Sequence, residues 1–206
     1  MNQSLLNDYF KVVASGQTYL NLIYLLLAFP LGTVYFVLLV TGISLGFGLL
    51  IILLGALILA AVVLFNWTIA VFERQLAVSL LQIEIAPLKL PSSGSPRMWE
   101  RIRAYLIHPG TWTSLLFTFL KFPMGIFAFA LSVSLLGTAL GMTFAPFYYE
   151  TADIHLWEMS VNSMEEAAAL CVIGVLLFPG VLHILNFTAK AYGAVAQALL
   201  SPTNTN

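Results

Sequence analysis

Apolar residues form four long stretches, and polar segments separate most of them. No charged residue occurs from Tyr19 to Trp67, a length that exceeds the roughly 20 residues of one membrane-spanning helix. Three glycines within residues 41–48 permit a tight reversal, so we predict a hairpin of two spans that turns there. The predicted spans are about 19–41, 48–69, 112–137 and 167–189.

The polar segments differ in the sign of their charge. The interval from Glu73 to Arg103 carries five basic residues, whereas the loop 143–166 carries acids and neither Lys nor Arg. Short loops rich in Lys and Arg stay in the cytoplasm. We therefore expect a protein of the cytoplasmic membrane with both termini in the cytoplasm and the loop 143–166 outside.

Composition agrees with a membrane protein and excludes several other classes. Apolar residues make up 60% of the 206 positions and charged residues 8%, which is more apolar surface than a soluble domain can bury. The net charge of −1 and the absence of a basic cluster exclude nucleic acid as a partner. A single cysteine, Cys171, excludes a disulfide within the chain.

The chain contains an internal repeat. The motif T-[YW]-x9-F-P-[LM]-G occurs at Thr18–Gly32 and again, 93 residues later, at Thr111–Gly125. Asn66-Trp67-Thr68 corresponds to Asn186-Phe187-Thr188, 120 residues later. Each copy holds an even number of predicted spans, so we expect two parallel copies of one hairpin related by an axis along the membrane normal. The predicted divisions are 1–90 for the first copy, 91–96 for a linker and 97–206 for the second copy.

Each copy is also predicted to carry helices outside its spans. Residues 5–13 and 98–107 place apolar side chains three or four apart among polar ones, which predicts amphipathic helices on the inner leaflet. Residues 66–81 and 186–200 contain no proline, so we expect the second helix of each copy to continue past its apolar run. Asn66 and Asn186 are interpreted as residues that cap or bridge helices.

Four residues of the repeated motif are candidates for a bend. Pro30 and Pro123 lie inside apolar runs, where proline removes a helical hydrogen bond and bends the axis. Gly32 and Gly125 allow a neighbouring helix to approach closely. We favour a role in shape and packing, with a bend that opens a lateral pocket for a lipophilic ligand as the alternative.

The repeated motif, T-[YW]-x-x-L-x-[YF]-x4-F-P-[LM]-G, and the segment TGISLGFGLLIILLG resemble the sensor domain that precedes the kinase core in many actinobacterial and archaeal sensor histidine kinases. The resemblance covers nearly the whole chain, and Phe72-Glu73-Arg74 looks like that family's helix with an arginine and a glutamate. It implies a four-helix membrane architecture and a signalling association, but no ligand. The printed chain ends at SPTNTN without kinase segments, so we expect any signal to leave through another chain.

Few residues in the spans are candidates for binding chemistry, and no catalytic or metal site is predicted. His183 is the only histidine in a predicted span, where it is a candidate cofactor ligand, a pH-responsive group or a packing residue. Lys121 is expected to extend to the headgroups, where it would contact lipid phosphate or a partner together with Arg101 and Arg103. The sequence requires no cofactor.

Two functions follow from these expectations. The first is a non-enzymatic sensor-type module in the lipid bilayer that relays a signal to a kinase, a regulator or other membrane subunits, with the loop 143–166 as the input. The second is a structural accessory subunit of a respiratory or photosynthetic complex that contacts lipid or pigment. A transporter would need polar residues along a path through the spans, which are uniformly apolar.

Overall fold

The computed structural model describes residues 3–87, 98–150, 155–156, 159–161 and 163–201. Within these ranges the fold is all-α, apart from an antiparallel pairing of His155–Leu156 with Met159–Ser160. Four helices, α2, α3, α5 and α6, are long and apolar enough to cross a membrane, so the chain is a multi-pass membrane protein as predicted. The predicted linker 91–96 lies outside the described residues. The helices are α1 (Gln3–Ala14), α2 (Gly16–Gly48), α3 (Leu54–Leu81), α4 (Met98–Ile107), α5 (Pro109–Phe144) and α6 (Met164–Leu200).

Local sequence signals explain where the second copy's long helices begin. The His108 side chain accepts a hydrogen bond from the backbone N–H of Gly110, and Pro109 occupies the first turn of α5, where its missing N–H costs nothing. At α6, Ser163 and Glu166 form a reciprocal capping box. The predicted continuation of the second helices is confirmed, because α3 reaches Leu81 and α6 reaches Leu200.

The first hairpin turns later than the glycines predict. Helix α2 continues through Gly48, and the chain reverses over residues 49–53, where Leu53 adopts a left-handed conformation with φ of 61°. The glycines instead bring α2 and α3 together, since a Cβ on Gly55 would lie 2.0 Å from the carbonyl oxygen of Gly46. The prediction of a turn at 41–48 is therefore wrong: glycine also permits close helix packing.

The chain folds back after α3. Gln82 adopts a left-handed conformation, with φ of 53°, and ends the helix. Arg74 Nε, two turns earlier on α3, donates to the carbonyl oxygens of Ile85 and Ala86, both at 3.0 Å. From α6, Gln197 Nε2 donates to the carbonyl oxygen of Glu84 at 3.1 Å. Residues 83–86, which we call the exit segment, therefore run back beside α3 and α6.

Helices α2 and α5 are joined by ring contacts that the internal repeat relates to each other. The ring of Phe29 contacts Phe129, with centroids 5.1 Å apart, and Phe36 contacts Phe122 at 4.5 Å. The 93-residue shift converts one contact into the other, since it aligns Phe29 with Phe122 and Phe36 with Phe129. The contacts agree with a twofold relation between the copies, and the expected axis along the membrane normal stays a prediction.

Buried side chains from the four long helices form the main core. Tyr24, Leu25 and Ala28 of α2 pack with Phe117 and Ala128 of α5 and with residues of α3 and α6. The outward faces carry exposed large apolar side chains, including Trp112, Phe127 and Phe187. Such faces are typical of helices that contact lipid.

Candidate functional site

A buried ion pair lies where α3 meets α5. Lys121 Nζ of α5 is 2.8 Å from Glu73 Oε2 of α3, and the two side chains are 1% and 0% exposed. Charged side chains almost never become fully buried unless they are paired. This ion pair is the only one among the described residues in which both partners are buried.

Aromatic residues surround the Lys121 ammonium group. Nζ is 3.3 Å from the hydroxyl of Tyr24 and 4.4 Å from the centroid of that ring, and it lies 5.7 Å from the ring of Phe117. These distances allow cation–π attraction, which strengthens when the cation is shielded from water. The cluster therefore holds the lysine as a cation inside the bundle.

The cluster is not fully satisfied on its acidic side. Glu73 Oε1 and the nearby Tyr35 hydroxyl are buried and form no hydrogen bond of good geometry with the described residues. A buried polar atom without a partner is costly. The ion pair therefore uses only one of the two carboxylate oxygens of Glu73.

The repeated motif places the backbones of α2 and α5 in direct contact beside the ion pair. A Cβ on Gly32 would lie 2.6 Å from the carbonyl oxygen of Lys121, and a Cβ on Gly125 would lie 2.5 Å from that of Ala28. The predicted close approach at both glycines is present, and it is reciprocal. Pro30 and Pro123 lie inside α2 and α5 next to these contacts, and the bend expected at them stays a prediction.

Two asparagines link each copy's second helix to the other copy's first helix. Asn66 Nδ2 donates to Ser114 Oγ at 2.8 Å, and Thr118 donates to Asn66 Oδ1 at 2.9 Å. Asn186 Nδ2 donates to Thr18 Oγ1 at 2.9 Å, and Asn186 Oδ1 accepts from Asn21 Nδ2 at 2.8 Å. The interpretation of both asparagines as bridging residues is confirmed.

The expectation for Lys121 is wrong. Its ammonium group is buried against Glu73 and does not extend to the headgroups, because a carboxylate and an aromatic ring are within closer reach. Arg103 is exposed, whereas the Arg101 side chain lies outside the described residues, so a lipid or partner contact at either stays a prediction.

The sequence did not identify Glu73 as a member of a site. A signal in the sequence could have identified it. Glu73 follows the repeat signature Asn66-Trp67-Thr68 on the same unbroken helix, and Lys121 lies within the repeated proline motif Thr111–Gly125. Which acid meets which base depends on the packing of α3 beside α5. Neither motif alone specifies this packing.

His183 lies at the edge of a polar cavity. Its ring stacks on Tyr9 of α1, with centroids 5.8 Å apart, and the Tyr9 hydroxyl donates to the carbonyl oxygen of Leu176 at 2.6 Å. The cavity has a volume of about 420 Å³, and Lys11 and Lys190 also line it. Over the described part of the chain, no three His, Cys, Asp or Glu side chains are grouped to hold a metal ion. A cofactor role for His183 stays a prediction.

Part of the loop 143–166 is described. Val161 is buried with Ala145, Ala167 and Leu170 in a small second core. The Tyr149 hydroxyl donates to Glu150 at 2.9 Å, and this hydrogen bond raises the pKa of Tyr149. The side chains of residues 151–160 lie outside the described part, so the acidic input surface predicted there stays a prediction.

Comparison with known protein families agrees with the architecture. The family described as "Putative sensor" matches residues 24–200, a range that includes Pro30, Pro123, Glu73, Lys121 and both bridging asparagines. Neither curated proteins nor solved structures give a match. Since the matched range covers most of the 206 residues, the chain belongs to the Putative sensor family.

Proposed function

We propose that the protein is a non-enzymatic membrane sensor module that relays a conformational change to a partner protein, such as a kinase or another regulator. Family membership supports a sensor role. The observation that carries the relay is the adjacency of Glu73 and Arg74, because one side chain enters the buried ion pair while its neighbour holds the exit segment.

This adjacency gives a contiguous mechanical path. A movement of α5 acts on Lys121 and, through the ion pair, on Glu73 of α3. A rotation of α3 at Glu73 also moves Arg74, which donates to the carbonyl oxygens of Ile85 and Ala86. The exit segment is also held by Gln197 of α6, so its position depends on both second helices.

A buried ion pair is suited to a two-state element. Removing one partner of such a pair costs about 3–5 kcal/mol, whereas replacing both by apolar residues is often neutral or stabilising. The pair therefore contributes little net free energy to folding, but it favours the one arrangement of helices in which both charges are paired. Ionisable groups inside membrane bundles are by default candidates for function.

The relay is tested by a spin label on the exit segment of the full chain in lipid nanodiscs. The label is attached at Glu84→Cys in a Cys171→Ala background, with Glu73→Gln as the test variant and Glu165→Gln as the matched control on the exposed start of α6. We expect Glu73→Gln to increase the mobility of the label and Glu165→Gln to leave it unchanged. Equal spectra for all three proteins would refute the relay.

A partner is sought by mild-detergent purification of the tagged chain from its native membrane, followed by mass spectrometry. A regulator that co-purifies, and whose output changes with Glu73→Gln but not with Glu165→Gln, supports the sensor role. A multisubunit membrane complex that assembles equally well with either variant would support the accessory-subunit alternative. A deletion within 143–166 that alters the output would identify the loop as the input.

We also propose that the chain lies in the cytoplasmic membrane with both termini in the cytoplasm, a placement supported by the distribution of basic residues. Ala14→Cys and Arg103→Cys should react with an impermeant maleimide only in inside-out vesicles. Labelling of Ala14→Cys in right-side-out vesicles would overturn the orientation.

A further inference from the structure

The polar cavity beside His183 has the composition of an anion site. Lys11 of α1 and Lys190 of α6 line it together with His183, and none of the described lining residues is acidic. Neither ammonium group has an ion-pair partner among the described residues. The remaining polar lining comes from Ser15, Gln17, Thr18, Asn21 and Asn186.

One hydrogen-bond acceptor in this lining is unused. Gln17 Nε2 donates to Asn21 Oδ1 at 2.8 Å and to the carbonyl oxygen of Leu80 at 2.9 Å, which fixes the orientation of the amide. Gln17 Oε1 is buried and has no partner within the described chain. The cavity therefore offers positive charge together with an acceptor for a hydroxyl or ammonium donor.

The internal repeat supplies a comparison within the same molecule. By the shifts of 93 and 120 residues, Lys11 corresponds to Ala104, Lys190 to Ala70 and His183 to Val63. The equivalent position in the other half therefore has no charge.

The residue that corresponds to Phe187 is packed differently in the other half. Trp67, the counterpart of Phe187, packs edge-on against Tyr105 and His108 and donates to Thr111 Oγ1 at 2.9 Å. Trp67 is 3% exposed, whereas Phe187 is 75% exposed. A cavity of about 480 Å³ also lies beside Trp67, but no charged residue is found in its described lining, so the lysines distinguish the cavity beside His183.

We propose that this cavity binds the phosphate-bearing headgroup of an anionic phospholipid. The lysines and His183 would contact the phosphate, and Gln17 Oε1 would accept from a headgroup hydroxyl. The exposed ring of Phe187 at the cavity edge favours a lipid over a soluble anion, because it offers apolar surface beside the charges. The proposal deepens the sensor role by naming an input, and it is tested by binding alone, so either can fail without the other.

The test is native mass spectrometry of the full chain released from nanodiscs that contain phosphatidylglycerol, phosphatidylcholine or their mixture. We expect retention of phosphatidylglycerol in preference to phosphatidylcholine. Lys11→Gln and Lys190→Gln should each weaken retention about fivefold, the effect of one basic residue near an anionic headgroup. Lys11→Arg and Lys190→Arg are the matched controls, since each keeps the charge at its position, and both should retain phosphatidylglycerol as the parent chain does.

A second variant fills the cavity without removing a charge. Ser15 lines the cavity and makes no side-chain cap hydrogen bond, so Ser15→Trp should block the headgroup and preserve the fold. Equal losses for the arginine and glutamine variants, or normal retention by folded Ser15→Trp, would overturn the site. Binding of inorganic phosphate in phosphatidylcholine discs with the same dependence on the lysines would overturn the assignment to a lipid.

Discussion

At the scale of single residues, the ion pair between Glu73 and Lys121 places two opposite charges inside the packed core. Both side chains are buried, and the aromatic ring of Tyr24 lies over the cation. The corresponding residues under the repeat shifts are Gly193 and Ala28, which carry no charge. The backbone contact between α2 and α5 is therefore reciprocal in the two copies, whereas the ion pair has no counterpart at the equivalent positions.

Lys121→Met should destabilise the protein by about 3–5 kcal/mol, because it leaves the Glu73 carboxylate buried without its partner. The double variant Glu73→Leu with Lys121→Met should recover most of that loss. The free energy of unfolding is measured by SDS titration in mixed micelles, with helical circular dichroism as the signal. A double variant as unstable as the single one would show that the pair matters for packing and not for charge.

Gly125→Ala should destabilise the bundle by about 1–3 kcal/mol, because its Cβ would overlap the backbone of α2 and force the helices apart. Gly137→Ala is the matched control on the same helix, since nothing lies within 4 Å of a Cβ there. That control should stabilise α5 by up to about 1 kcal/mol through helix propensity. The same SDS titration compares them, and equal effects of both substitutions would argue against the close contact.

At the scale of elements, the reversal of the chain after α3 sets the position of the exit segment. It depends on one residue in a left-handed conformation, Gln82, and on the guanidinium group of Arg74, which holds the returning strand of chain. Neither feature has a strong sequence signature, because glycine or asparagine would be the usual residue at such a position.

Gln82→Val should destabilise the protein by about 1–2 kcal/mol or more, because a β-branched side chain tolerates the left-handed region poorly. Gln82→Gly should be at least as stable as the parent protein at this position. Thermal unfolding in detergent, followed by tryptophan fluorescence, compares the three proteins. Indistinguishable midpoints for valine and glycine would mean that the chain does not reverse at Gln82.

At the scale of the whole molecule, the ring contacts between α2 and α5 make a prediction about how the two copies meet. In a Cys171→Ala background, the pair Phe36→Cys and Phe122→Cys should be joined by a short bis-maleimide cross-linker, because the parent rings lie 4.5 Å apart, centroid to centroid. The pair Phe36→Cys and Phe144→Cys should not, because position 144 lies at the far end of α5, about 33 Å of helix away from position 122. The measurement is the shift of the band on a denaturing gel after treatment of native membranes, and equal cross-linking of both pairs would argue against the contact.

The whole molecule is also asymmetric in a way that matters for function. The ion pair joins α3 to α5, whereas the cationic cavity lies among α1, α2 and α6. The ion pair, the candidate relay, and the cavity, the candidate input, therefore involve different helices. The two reciprocal glycine contacts between α2 and α5 belong to the core that both sites adjoin.

Sequence alone was sufficient for the features that depend on local chemistry. The lengths of the apolar runs predict the four long helices, and the absence of proline predicts their continuation to Leu81 and Leu200. The repeated motif predicts the family and the bridging role of Asn66 and Asn186. The close approach at Gly32 and Gly125 also follows, because only glycine lets two backbones come so near.

Only the tertiary structure decided how these parts are arranged. Three features involve residues far apart in the chain: the ring contact between Phe36 and Phe122, the burial of Lys121 against Glu73, and the cavity between Lys11 and Lys190. Each depends on which helix faces reach one another in the folded bundle. A periodic apolar pattern specifies that a helix is buried in a bundle or in lipid, but not which neighbour it meets.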